Sequence, residues 1–225
     1  MTIAYIIHLA NYSDGVLYVL AILFLIAAGV TLDRLWHLRR AIMRGDAIVA
    51  RISAMGSLAA NDLAALRDFS GHQPEAPLLD TALHHQSVSD AAVMGQRIDE
   101  AIMLVAPRLD RRLWILDTIV TLAPLLGLFG TIIGMFHAFS VLAKPGHAPA
   151  QVTGGVADAL VATAFGILIA MLGLAAFNLL SNQIRLILHQ LETIKTMILN
   201  RTDGTTLIPL VRPNPAARAA EPSRA

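Results

Sequence analysis

The chain has 225 residues, of which 56% are hydrophobic and 15% charged, and its mean hydropathy is +0.62. That composition excludes an ordinary soluble globular domain and points to an integral membrane protein. A net charge of +1 argues against a nucleic-acid partner, and the lack of cysteine excludes a disulfide framework and a thiolate metal site.

Residues 1–14 form a short segment before the first apolar run. Gly15 to Leu32 gives 18 residues without a charge, the first predicted span, 15–32. Arg34, Arg39, Arg40 and Arg44 follow it, whereas a signal peptide carries its basic residues in front of the apolar core. The segment therefore reads as a retained anchor. Residues 33–117 make a polar helical region. An Arg-rich helix continues to about Gly56, and a short helix spans Asn61 to Phe69 with Asn61 as its N-cap. Gly71 to Pro77 reads as a break. Ser89 is the expected N-cap of a helix through Gln96 and Glu100, and Pro107 is expected to kink or interrupt it.

The second span is 118–143, where Thr118 to Ala143 gives 26 residues with His137 as the only ionisable side chain. Residues 144–152 form a loop turned by Pro145 and Pro149. The third span is 153–182, and Ala159 to Ile184 gives 26 apolar residues preceded by Asp158. A span needs about 20 apolar residues, and its backbone must satisfy itself, so each is predicted to be an α-helix. Ile184, Ile187, Leu188, Leu191, Ile194 and Ile198 keep helical spacing beyond the third span, which extends it as an amphipathic helix over 183–201. Residues 202–225 are Pro-rich and read as a disordered tail. The fold class is all-α: an integral membrane protein with three transmembrane helices and long cytoplasmic helical extensions.

Orientation follows from Lys and Arg. Ten fall in 33–112 and six after Ile184, one falls in the 144–151 loop, and none in the first 14 residues. The positive-inside rule puts the basic side in the cytoplasm, with the N-terminus and the 144–152 loop in the periplasm and the C-terminus inside. The arginines are expected to hold anionic lipid headgroups.

The faces of the last two spans carry the functional signal. Gly155, Ala159, Ala162, Gly166, Ala170 and Gly173 share a narrow stripe on the third, with Asp158 and Thr163 on its opposite edges. Pro124, Gly127, Gly130, Thr131, Gly134 and Ala138 share one side of the second. Small residues let membrane helices approach closely, so Gly127, Gly130, Gly134, Gly155, Ala159 and Gly166 are predicted packing positions, expected at contacts between subunits. A lone membrane Thr commonly bonds a carbonyl one turn back, and a carboxylate near a helix end can be an interfacial cap. Small stripes, two threonines and one carboxylate together point instead to function, as part of an ion-conducting helical assembly with Thr131, Asp158 and Thr163 as its polar residues.

The second span reads Ala-Pro-Leu-Leu-Gly-Leu-Phe-Gly-Thr-Ile-Ile-Gly-Met over 123–135, and the third Gly-Gly-Val-Ala-Asp-Ala-Leu-Val-Ala-Thr-Ala-Phe-Gly-Ile over 154–167. Both resemble the signature helices of the MotA/TolQ/ExbB proton-channel family, most closely ExbB and TolQ, over roughly 65 residues. The resemblance implies a homopentamer whose second and third helices line a pore around an ExbD- or TolR-like single-span partner. The partner's membrane aspartate would carry the proton, and a TonB- or TolA-like transducer would be worked by the flow. It also implies that Thr131 and Thr163 are pore threonines, and that Asp158 stands where the family usually has Glu. Asp is one methylene shorter, which reduces its reach. The expected function is an ExbB-like subunit of a proton-driven inner-membrane motor for transport across the outer membrane. The alternatives are a TolQ-like subunit for envelope maintenance or a passive membrane scaffold.

The remaining features are weaker. His137 reads as an interfacial or bonded histidine, and adjacent His84 and His85 cannot share one helix face as a metal pair. No metalloprotease, phosphate-loop or Gly-x-Ser-x-Gly motif occurs, so neither an enzyme nor a cofactor is implied.

Overall fold

The computed structural model describes residues 15–85, 90–142 and 149–202. Among these the regular structure is helical: α1 Val16–Ala54, α2 Ala60–Ser70, α3 Ala76–His85, α4 Ala91–Leu109, α5 Leu113–Leu142 and α6 Pro149–Thr202. Three stretches, Val16–Ala54, Ala91–Ser140 and Gly154–Thr202, are long and apolar enough to cross a membrane. With 54 residues, α6 is about 80 Å long at 1.5 Å per residue, against a hydrocarbon layer of about 30 Å. The expected N-cap Ser89, residues 145–148 of the turn expected from Pro145 to Pro149, the N-terminal segment and the tail from 203 lie outside the described residues, while Pro149 begins α6.

The chain divides into two compact units. The first comprises the chain up to Leu35 with Arg112–Ser181; the second comprises Trp36–Arg111 with the chain from Asn182. In the first, Gly15 sits at φ +86°, and its carbonyl accepts the Val19 N–H to open α1. Val16, Leu20 and Ala27 fall on one face of α1 and are buried with Ile119 and Ala123 of α5 and Ile169 of α6. The opposite faces expose Leu25, Phe136 and Phe139, as expected of helices whose solvent is lipid or another membrane helix.

In the second unit Leu38, Ile48 and Ile52 of α1 are buried, as are Leu63 and Leu66 of α2 and Leu78 and Leu79 of α3. From α6 the periodic residues Ile184, Ile187, Leu191, Ile194 and Ile198 are buried and Leu188 is half-buried, the pattern of an amphipathic stripe. Two polar contacts accompany this packing of α6: Lys195 pairs with Asp99 of α4, and Arg201 donates Nε to the Met55 carbonyl. The Arg51 guanidinium lies 3.6 Å over the Phe69 ring.

Three local expectations need correction. Asn61 is not the N-cap of α2. That position is Ala59, whose N–H donates to the Asp62 carboxylate at 3.0 Å, so the reach-back from the third helical residue does the capping. The break at Gly71 to Pro77 ends earlier, because α3 begins at Ala76 and Pro77 sits in its first turn, where a missing N–H leaves nothing unpaired. Pro107 lies inside α4 and does not interrupt it. It falls in the last turn, where it forfeits a single hydrogen bond. The chain turns instead over Asp110–Arg112, with Arg112 at φ +74°. Left-handed backbone costs a non-glycine residue about 1–2 kcal/mol. The Arg112 side chain pairs with Asp33 of α1 at 2.7 Å.

Candidate functional site

The site grows from the crossing of α5 and α6 within one chain. Their small residues meet each other, so the stripes expected at contacts between subunits are used inside the subunit. A Cβ added to Gly166 would lie 2.5 Å from the Ala123 carbonyl oxygen; one added to Gly127 would lie 2.9 Å from the Ala162 oxygen and from Thr163 Cα. At Gly130 it would meet the Ala162 methyl at 2.9 Å, and at Gly134 the Ala159 methyl at 2.6 Å. Gly155, Ala159 and Ala162 are buried. The two backbones are therefore closer than any larger side chain permits.

That closeness brings a hydroxyl of one helix to the backbone of the other. Thr163 Oγ1 donates to the Gly127 carbonyl at 2.9 Å. The helical register assigns the same carbonyl to the N–H of Thr131, four residues on. Thr131 is 6% exposed, and its Oγ1 donates to the Leu128 carbonyl at 2.6 Å, a bond within its own helix. So Gly127 joins the two threonines: one bonds across the crossing, and the other caps its own turn beside it. A hydroxyl retains acceptor lone pairs after donating, so each can still accept a hydrogen bond from a water or a protonated carboxyl.

Asp158 is not part of that junction. It is half-buried, adjacent to the Ala159 that packs on Gly134, five residues from Thr163. Five residues are about 7.5 Å along a helix and 140° around it. Among the described residues its carboxylate has no hydrogen bond or ion pair. His137 is half-buried and meets Phe136 with ring centroids 6.0 Å apart.

Sequence reasoning missed one carboxylate on the same rail. With α5 starting at Leu113, positions 117, 121, 124, 128 and 131 recur at helical spacing on one stripe. They place exposed Asp117 and Thr121, then Pro124, Leu128 and Thr131 in sequence along α5. The Thr121 hydroxyl is turned onto the Thr118 carbonyl at 3.0 Å. Starting the span at Thr118 hid this stripe, because Asp117 then fell in the preceding region.

The sequence profile of the MotA/TolQ/ExbB proton channel family matches residues 70–193, more than half of the chain and all of this site. The chain is 40% identical over 80 residues to the Tol-Pal system protein TolQ of Haemophilus influenzae, a stretch covering 35% of each. It is 27% identical over 174 residues to the biopolymer transport protein ExbB-like 1 of Synechocystis, covering 73% of this chain and 66% of the relative. To the biopolymer transport protein ExbB of Neisseria gonorrhoeae it is 30% identical over 113 residues, 48% of this chain and 51% of the relative. The chain thus spans about a third to two thirds of the length of these relatives.

Proposed function

Since the chain belongs to the MotA/TolQ/ExbB proton channel family, we propose that it is the ExbB-like subunit of a proton-motive-force-driven motor in the bacterial inner membrane. It works with an ExbD-like single-span protein and a TonB-like transducer to energise transport across the outer membrane. The observation that carries this reading is the Thr163 hydroxyl bonded to the Gly127 carbonyl beside Thr131, in a crossing that only glycine permits. Such a junction offers ordered hydroxyls at membrane depth without a fixed charge. The partner's carboxyl moves past them, exchanging hydrogen bonds as it gains and loses its proton. Asp158 sets the field and hydration at one end of that path, where a carboxylate facing lipid would be costly. The charge asymmetry supports a cytoplasmic second unit and a periplasmic 144–152 loop. Several copies of the chain, a pentamer by family resemblance, enclose the path.

A TolQ-like role in envelope maintenance is the second reading, supported by the 40% identity to the Haemophilus protein. Proton flux by the complex reconstituted with its single-span partner tests the proposal. Thr131→Val, Thr163→Val and Asp158→Asn are expected to assemble at wild-type levels and to lose at least tenfold in flux. Asp158→Glu should keep most of it. Wild-type flux in all three polar losses would leave the chain a scaffold.

A further inference from the structure

The second unit contains a buried polar cluster that the membrane path does not use. Glu75 stands at the N-terminus of α3 and is 0% exposed, and neither of its carboxyl oxygens has a hydrogen-bond partner. The side-chain oxygen of Gln190 on α6 is likewise buried and unpartnered. Both side chains reach the open side of Gly45 on α1, where an added Cβ would lie 2.6 Å from Gln190 Oε1 and 2.9 Å from Glu75 Oε1.

The Gln190 amide cannot relieve this by turning over. Its Nε2 donates to Asp46 Oδ1 at 2.6 Å and lies 3.4 Å from the Ile42 carbonyl. A flip would set its oxygen against the Asp46 carboxylate. Glu75 Oε1 and Gln190 Oε1 therefore meet at one buried point with no donor between them, and Glu75 Oε2 is buried and unpartnered as well; leaving such acceptors unmade is costly, most of all for a charged group.

We propose that Glu75 is a proton-binding site: its buried carboxyl takes up a proton when α3 is packed against α1 and α6, and its hydroxyl supplies the donor that Gln190 Oε1 lacks. One proton removes the buried charge and gives Gln190 Oε1 a donor. The surrounding groups fit this assignment. From α1, Arg44 is the charge that acts on Glu75, yet it forms no ion pair with it; its Nη1 reaches the Ser70 carbonyl at 3.5 Å. Asp46 of α1 is engaged by Gln190. Arg67 of α2 is turned to Asp80 of α3. On α6, His189 and Glu192 are exposed, and the buried face of α4, with Met94, Ile98 and Val105, is apolar. Burial pushes the Glu75 carboxyl up to about 7, against weaker opposing pulls from its own backbone N–H and from Arg44.

The consequence is a contact that responds to protons. When α3 separates from α1 and α6, Glu75 regains water and an ordinary carboxylate affinity. Between that value and about 7 the closed form binds more protons than the open form, so rising pH favours opening; above about 7 both are ionised and the effect levels off. This assignment stands on the second unit alone and holds whichever way the membrane path works.

The test uses the full-length protein in lipid nanodiscs. Hydrogen-exchange protection of the amides of residues 71–79, corrected for intrinsic rates, should fall by up to about tenfold per pH unit from pH 5 to 7 and level off above. Infrared difference spectra should show a protonated-carboxyl C=O band that titrates near pH 7 and shifts in D2O. In Glu75→Gln, whose amide supplies the donor permanently, the band should vanish and the protection should become pH-independent. A wild-type protein with no such band at pH 6 overturns the proposal, and so does protection that depends on added Na⁺, K⁺ or Mg²⁺ instead of pH. Both readouts exist in the wild-type protein, so a poorly folding variant does not blunt the test.

Discussion

The two units join their helices in opposite ways. In the first, a Cβ on Gly166 or Gly127 would strike backbone: the Ala123 carbonyl, the Ala162 carbonyl or Thr163 Cα. In the second, a Cβ on Gly45 would strike only the ends of Gln190 and Glu75, and one on Gly95 would meet Leu199 Cδ1 at 3.3 Å. Lipid tails are as apolar as leucine, so membrane helices gain little by burying large side chains and associate through close backbone approach. The second unit instead fills its interior with leucine and isoleucine, whose burial contributes roughly 25 cal/mol per Å². The lesson is that the first unit should be intolerant of added volume at its crossing, and the second intolerant of lost volume or misplaced charge.

Gly166 offers the largest break. Gly166→Leu is expected to prevent α5 and α6 from docking, and Gly166→Ala to destabilise by about 1–3 kcal/mol, as overpacking does. Gly173→Ala should cost less, since its Cβ would meet only Val120 Cγ2 at 3.1 Å. Gly45→Ala should cost under about 1 kcal/mol, because flexible side-chain ends can move aside. Thermal unfolding in nanodiscs measures the series. Equal losses at Gly166 and Gly45 would erase the distinction between the units.

Glu75→Gln should have the opposite sign. Its folded-state pKa of about 7 lies above the ordinary 4.5, so the group's contribution is fully present below 4.5 and is lost as pH rises through about 7. At pH 8 the wild-type second unit carries a buried, ionised carboxylate. The glutamine variant should then be more stable by up to about 3 kcal/mol, at about 1.36 kcal/mol per pKa unit. At pH 4 the difference should disappear. Denaturant titrations at the two pH values separate these outcomes, and a variant less stable than wild type at pH 8 would assign Glu75 to an ionised, water-satisfied role.

The contrast between the units also explains what could be read from the chain. The spans were legible from their unbroken apolar length, and the small-residue stripes and the amphipathic run from Ile184 to Ile198 because each repeats at the helical period. The joint placement of Thr131 and Thr163 followed from the same period. What periodicity cannot supply is the partner of a single hydroxyl. Nothing in the sequence said that Thr163 bonds across to Gly127 while Thr131 bonds its own turn. Nor could it show that Glu75, in a stretch between two prolines that reads as a solvated break, is buried against α1 and α6. The Asn61 cap failed because Asp62, three residues after Ala59, does the capping through its side chain, and Pro107 failed because a proline in a final turn removes only one bond.

Thr163→Val sharpens the comparison inside the first unit. It removes the hydroxyl that bridges α6 to α5 and should cost about 1 kcal/mol, the usual net value of one hydrogen bond. Thr131→Val should cost less, because its bond to Leu128 lies within one turn and that carbonyl keeps its helical donor. A larger stability loss at Thr131 than at Thr163 would show that Thr131 holds a contact that a single subunit lacks.

The smallest effect tests whether charge holds the second unit. Lys195 pairs with Asp99 over 96 residues of sequence, a connection between α6 and α4 that invites a structural role. Its side chain is 23% exposed and that of Asp99 42%, so water screens the pair. Exposed pairs contribute about 0–1 kcal/mol. The stem of Lys195 does more: its Cε would lie 3.9 Å from a Cβ at Gly95, alongside Leu199. Lysine commonly covers apolar surface with its methylenes while its ammonium stays wet. Lys195→Met keeps most of that cover and deletes the charge, so it should shift stability by no more than about 0.5 kcal/mol. Lys195→Ala deletes both and should cost about 1 kcal/mol or more. If Met were as damaging as Ala, the ion pair and not the packed stem would be joining α6 to α4, and the second unit would be held by charge where the comparison assigns it to side-chain packing.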